Sequence, residues 1–247
     1  MKSESTCSVL GPADHVIPVY QRWFGTWQIA IGRRPLDPTQ LATLYDKHAA
    51  TWDAKLRRLG VVNAYATLLQ QAFPCRTFDQ DRPRVLDAGI GTGAMSLALG
   101  QIVRGPLRLS GIDLSNRMLV EAGQRLADTG FHLDLRQGDI TALPYEDDSF
   151  DVVMTAHTVE HLGRPAKALA EFRRVLKPGG CLIACVTTRS ALATYIQIRW
   201  QTHRIAATDM QPLLLSVGFE NPHALRFDKG TSLRRISVPY IAHKPRR

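Results

Sequence analysis

The chain has 247 residues, 45% of them hydrophobic and 21% charged, with a formal net charge of +9. That length and apolar fraction suit one α/β domain with N-terminal decoration. No run approaches the ~20 apolar residues a membrane span needs; the nearest, Val16 to Ile31, is interrupted by Gln21, Arg22 and Gln28. The first residues lack the charged start, apolar run and cleavage site of a secretory signal, so a cytoplasmic location is expected.

The basic excess attracts nucleic acid, anionic membranes and anionic substrates alike. It is dispersed over pairs such as Arg33-Arg34, Arg57-Arg58 and Arg173-Arg174, without the basic-aromatic interleaving of a single-strand binding groove, so solvated faces are expected and a nucleic-acid partner is not. Cys7, Cys75, Cys181 and Cys185 form no CxxC pair and lack a histidine at zinc-like spacing, which argues against a metal site. Cys181 and Cys185 lie four residues apart in an apolar strand-like run, ~13 Å, too far for a disulfide.

In chain order, residues 1–36 read as an irregular arm with Pro12, Pro18 and Pro35 and the aromatic residues Tyr20, Trp23, Phe24 and Trp27. Its composition fits a cover over the protein's own pocket, a dimer contact, or a peripheral membrane contact. From Asp37, an N-cap followed by Pro38, helical spacing of Leu41, Leu44, Tyr45, His48, Trp52 and Leu56 predicts a helix; a second is expected over 61–73, and residues 74–83 form a polar linker. Residues 37–83 thus make a helical cap. From residue 84, strands near 84–87, 107–112, 132–136, 150–155 and 180–186 alternate with helices near 93–103, 116–128 and 165–176. This is the signature of an α/β, Rossmann-like, doubly wound and mostly parallel sheet. Residues 187–208 break the rhythm as an insertion rich in Arg, Thr and aromatics. A helix near 209–217 and strands near 222–227 and 235–241 close the chain.

The sequence Val85-Leu86-Asp87-Ala88-Gly89-Ile90-Gly91-Thr92-Gly93 runs from a strand that ends in an acid, through three alternating glycines, into a helix. Such a loop brings backbone close to a ligand at a helix N-terminus. Alone it equally fits a dinucleotide fingerprint. The acids that follow discriminate. Asp113 ends the second core strand, 26 residues after Asp87, where a carboxylate can grip both hydroxyls of a ribose. Asp139 ends the third and suits an adenine amino group, with the Ile140 N–H for a ring nitrogen. A dinucleotide site does not require that third element.

In this order VLDAGIGTG, GIDLS, GDITALPYEDDSFDVV, HTVEHL and LKPGG resemble the motifs of class I S-adenosylmethionine-dependent methyltransferases of the small-molecule, ubiquinone-type kind, from about Tyr45 onward. The resemblance implies a cofactor, S-adenosyl-L-methionine, converted to S-adenosyl-L-homocysteine. It implies that Asp87, Gly89, Gly91 and Gly93 surround its methionine part, Asp113 its ribose, and Asp139 and Ile140 its adenine, with Leu114 and Met118 packed on the ring and Ala156 also binding the cofactor. Tyr45 and Trp52 match aromatics that close over the cofactor in the family; as ordinary core aromatics they need no such role. The family also ends in an antiparallel hairpin, matched by the last two strands.

A sulfonium makes methyl an excellent electrophile, so alignment of nucleophile, carbon and sulfur is the main demand. A base is required only where the acceptor must lose a proton. His157 and His161 follow the fourth strand at the rim, and His157 is the better candidate, against a structural role as a hydrogen-bonded strand-end histidine. Glu160 is expected to pair or cap. In the insertion Arg189, Tyr195, Arg199, Trp200, His203 and Arg204 offer either acceptor recognition or plain packing. The function expected is methyl transfer to a small-molecule acceptor, lipid or quinone-like acceptors included. The alternatives are a nucleic-acid methyltransferase, which lacks an Asn-Pro-Pro-Tyr tetrad or paired catalytic cysteines here, and a non-catalytic S-adenosylmethionine-binding partner protein.

Overall fold

A computed structural model describes residues 17–33, 37, 39–44, 46, 59–73, 82–103, 105–188 and 207–246. Two antiparallel strands, β1 (Ile17–Phe24) and β2 (Trp27–Arg33), form a hairpin separate from the main sheet. The expectation of an irregular arm is therefore corrected. Gly25, at φ 59°, supplies the left-handed residue of a tight turn between two runs rich in β-branched and aromatic residues. Pro18 is accommodated beside a register shift between Pro18 and Tyr20, on a sheet with no interior strand.

Residues 39–44 and 46 are helical, as the spacing after Asp37 predicts, and Asp37 Oδ1 accepts the Gln40 N–H at 2.8 Å in the manner of an N-cap. Helix α1 (Val61–Ala72) follows Gly60. The main sheet holds β3 (Arg84–Ala88), β4 (Arg108–Asp113), β5 (His132–Gln137), β6 (Phe150–Ala156), β7 (Leu176–Thr187), β8 (Glu220–Ala224) and β9 (Ser237–His243), ordered β5-β4-β3-β6-β7-β9-β8. The first five are parallel, and β9 runs antiparallel to both its neighbours. The helices are α2 (Ala94–Ile102), α3 (Asn116–Leu126), α4 (Pro165–Val175) and α5 (Ala207–Ser216).

Both faces of the central strands are buried, so their sequences are almost continuously apolar rather than alternating. Val85, Met154 and Ile183 join one core with Leu68 and Leu69 of α1 and Leu99 of α2. Their neighbours Leu86, Val153 and Leu182 join the opposite core with Leu169 and Phe172 of α4. The last strands differ from expectation in extent. β8 covers 220–224 rather than 222–227, on the sheet edge, where Pro222 needs no ladder donor. β7 begins at Leu176, so Lys177-Pro178-Gly179-Gly180 lies within the strand, joined to the other side by the Gly179 N–H to Lys244 O (3.0 Å) and the Lys244 N–H to Gly180 O (2.9 Å).

Strand order reverses direction between β3 and β6. A crevice must open there, outside the carboxyl ends of the strands, because successive helices cross to opposite faces.

Candidate active site

Asp87, the penultimate residue of β3, is 2% exposed, and its carboxylate accepts the Ser96 hydroxyl at 2.6 Å. Burial pushes its pKa up to about 7; the Ser96 hydrogen bond opposes this and the nearby Asp113 charge adds to it. Beyond it the loop hangs on β4, through the N–H groups of Gly89 and Ile90, which both donate to Ile112 O at 2.8 and 3.1 Å. Arg125 of α3 pins the other side, donating to Thr92 O at 2.6 Å and Thr92 Oγ1 at 3.0 Å.

Gly89 and Gly91 have φ of 75° and 53°. At Gly91 a Cβ would meet nothing within 4 Å, so that backbone faces open space; at Gly89 it would lie 2.3 Å from the Thr158 side chain. Gly91→Ala is therefore expected to cost about 1–2 kcal/mol, the left-handed penalty alone. Gly89→Ala adds overpacking against the end of β6 and is expected to cost about 3–5 kcal/mol. Urea unfolding of the two variants, and of Gly89→Ala combined with Thr158→Ala, separates the terms; equal costs at the two glycines would remove Thr158 from the account.

Asp113 ends β4 with Oδ2 accepting the Gly91 N–H (2.8 Å) and Oδ1 accepting the Ser115 N–H (2.9 Å). Burial raises its pKa, opposed by backbone donors of Ser115, Gly91 and Leu114. Ser115 caps α3, its Oγ accepting the Met118 N–H at 3.1 Å, and donates that hydroxyl to Asp46. Asp139 holds the next loop, with Oδ1 accepting the Thr141 N–H at 2.8 Å. Arg174 braces that loop from α4, through Leu143 O and Tyr145 O at 3.0 and 2.7 Å.

These groups surround one cleft of about 1020 Å³ of empty space, its open mouth included. Of the expected residues, Asp87, Gly89, Gly91, Asp113, Leu114, Met118, Asp139, Ile140, Ala156 and His157 line it. Gly93 does not; at φ 78° it is the N-cap of α2, packed against Leu126. Tyr45 and Trp52 lie outside the described residues, as do Arg189, Tyr195, Arg199, Trp200, His203 and Arg204. The cleft also takes in Leu41, Val61, Tyr65, Ile90, Thr158 and Leu162, which sequence reasoning missed, and His161. Tyr65 carried a signal only as one apolar position of an amphipathic helix.

Past β6, His157 has φ 57° and donates its N–H to Cys185 O at 2.8 Å. Its Nδ1 lies 3.3 Å from Glu160 Oε1 and 3.1 Å from Thr187 Oγ1. Burial alone would raise the Glu160 carboxyl, but hydrogen bonds and charge from His157, with the Thr187 donors, outweigh it and hold the group below its ordinary range. Glu160 thus pairs, as expected from the sequence. Cys181 and Cys185 are free, buried thiols, and burial pushes Cys181 up to about 12.

The fold is a doubly wound α/β sheet with an acid at or next to the end of β3 and β4 and an open glycine loop at its switch point, the place where such sheets bind ligands. Residues 86–184 match the methyltransferase domain family. Over 146 residues the chain is 30% identical to the ubiquinone/menaquinone biosynthesis C-methyltransferase UbiE of Bdellovibrio bacteriovorus, covering 58% of this chain and 60% of that protein. The chain therefore spans about three fifths of the length of that relative. Two solved structures share the fold. The phosphoethanolamine N-methyltransferase 2 of Haemonchus contortus, bound to phosphomonomethylethanolamine and S-adenosylhomocysteine, has a TM-score of 0.65 at 16% identity, over 89% of this chain and 63% of that one. The [4+2]-cyclase SpnF has a TM-score of 0.61 at 18% identity, over 86% and 98%. Over residues 86–184 the chain is thus similar to methyltransferase domains.

Proposed function

We propose that the protein transfers methyl from S-adenosylmethionine to a small-molecule acceptor, in line, and that the acceptor is lipid-like or quinone-like. The observation that carries the first half is the paired grip of Asp113 on Gly91 and Ser115, which sets a carboxylate beside a loop whose backbone faces open space. Asp87 and the loop would hold the methionine end, Asp113 the ribose, and Asp139 and Ile140 the adenine. The bound cofactor supplies an electrophilic methyl whose carbon–sulfur electrons stay on sulfur. His157 is the base where the acceptor gives up a proton. The acceptor half is supported by the apolar wall of Leu41, Val61, Ile90 and Leu162, and by the likeness to the ubiquinone/menaquinone C-methyltransferase UbiE. A fold that also serves a cyclase does not by itself decide the reaction.

Calorimetry with S-adenosylmethionine, S-adenosylhomocysteine and NAD, followed by mass-spectrometric detection of methylated product from hydroquinone, phenol, thiol, amine and oligonucleotide acceptors, tests this reading. Micromolar binding of the first two ligands with a methylated small molecule supports it. Binding without product across the acceptors favours the partner-protein alternative, a methylated oligonucleotide favours the nucleic-acid one, and no binding by folded protein overturns the proposal.

No helix among the described residues is long and apolar enough to cross a membrane. Trp27 is 79% exposed near the hairpin turn, with Ile29 also exposed, which favours a peripheral contact with the lipid phase where a quinone-like acceptor dissolves. Trp27→Ser is expected to lower co-sedimentation with phosphatidylglycerol vesicles several-fold; an unchanged bound fraction removes the arm from that role.

A further inference from the structure

A donor and acceptor count around His157 decides which of its nitrogens serves the cleft. Glu160 is 1% exposed, and Thr187 gives it two hydrogens: its backbone N–H to Oε2 at 2.7 Å and its hydroxyl to Oε1. His157 Nδ1 faces that same Oε1 and the Thr187 hydroxyl oxygen. An ionised carboxylate only accepts, and a hydroxyl that has already donated its hydrogen can only accept. Both partners of Nδ1 are then acceptors, so Nδ1 carries the ring proton and the lone pair of the neutral imidazole sits on Nε2. The residue is also held through its main chain. Its backbone is tied to Cys185 in the left-handed region that few non-glycine residues occupy. The ring lines the cleft, with its side chain 28% exposed, while its Nδ1 edge meets the buried carboxylate.

We propose that Glu160 and Thr187 are positioning residues that hold His157 in the Nδ1–H tautomer, presenting Nε2 as a base, and that the acceptor is therefore a hydroxyl, phenol or carbon acid rather than a free amine. The acceptor class rests on the methyl-transfer reading above; the tautomer does not. In the step implied, the acceptor oxygen or carbon bonds to the methyl carbon as its proton passes to Nε2. The carbon–sulfur electron pair remains on sulfur, so the sulfonium charge is lost as the imidazolium charge appears. A free amine has its lone pair ready and gains nothing from such a base.

The test is nitrogen NMR of the full chain labelled with 15N-histidine, with His157 assigned by its loss in His157→Asn. Wild type is expected to show the proton on Nδ1 and a bare Nε2; a proton on Nε2 instead overturns the assignment without any further variant. In Glu160→Gln the amide can donate to Nδ1, so the population is expected to move to the Nε2–H form. A tautomer unchanged in that variant removes Glu160 as the positioning residue. With 1,4-naphthohydroquinone, acetylacetone and benzylamine as acceptor probes, wild type is expected to methylate the first or second and not the third. Glu160→Gln is expected to lower kcat by about 100-fold with KM within about threefold, the scale of a lost general base. Methylation of benzylamine alone overturns the acceptor class. Absence of transfer to every probe counts against methyl transfer itself, while the wild-type spectrum still decides the tautomer.

Discussion

Asp113→Ala is expected to weaken S-adenosylmethionine binding by two to three orders of magnitude, about 3–4 kcal/mol, in calorimetry at neutral pH. Each carboxylate oxygen of Asp113 already accepts one backbone N–H, from Gly91 and from Ser115, and each keeps a further lone pair for a ribose hydroxyl. Hydrogen bonds to a charged acceptor contribute about 1.5–3 kcal/mol apiece, and two are lost together. The truncation also releases the Gly91 N–H, so the glycine loop loses one of its ties to β4. Asp113→Asn keeps one acceptor oxygen and is expected to fall between, near tenfold. Affinity within threefold of wild type in the alanine variant would take Asp113 out of the ribose role.

Asp87 sets the second large effect, which is one of pH. Its folded pKa of about 7 lies well above the ordinary carboxylate value of 3.8, with burial as the main cause. Between those values the folded protein holds a proton that the unfolded chain has released. Stability from this group is fully present below pH 4 and is lost as pH rises through 7, an effect of roughly 4 kcal/mol. Binding of a cationic ligand has the opposite sign, because a positive charge beside the carboxyl favours its ionised form. Affinity for S-adenosylmethionine is therefore expected to rise up to about tenfold per pH unit between pH 5 and 7 and to level off above. Near pH 6 binding should release a proton, read from calorimetric enthalpies in buffers of differing ionisation enthalpy. Asp87→Asn is expected to flatten the profile; a profile equally steep in that variant would assign the proton to another group.

The strand-ending acids were legible in the sequence because alternating strands and helices place every parallel strand's carboxyl end on one edge. Once Asp87, Asp113 and Asp139 were each assigned to a strand end, their meeting in one cleft followed, with Leu114, Met118, Ile140 and Ala156 beside them. What escaped notice was fixed by contacts between distant segments that carry no local pattern. Asp46 reaches Ser115 across 69 positions, and Thr187 reaches Glu160 across 27. Thr158 fills the space beside Gly89 that makes a side chain there intolerable, yet nothing around either residue announces the other. The hairpin of β1 and β2 was misread for a different reason: prolines argued against strands, but a two-stranded ribbon has only edges, and an edge tolerates proline.

The order of the sheet bears on how the protein is made. β9 is the last of the described strands to leave the ribosome, yet it lies between β7 and β8 rather than at the margin. Until it arrives, β7 presents an apolar, unpaired edge and β8 has no neighbour to join. A nascent chain paused in that interval exposes the kind of strand that pairs with other chains. Slow synthesis across residues 188–236 should therefore favour aggregation, and chaperone capture during translation should peak before β9 emerges.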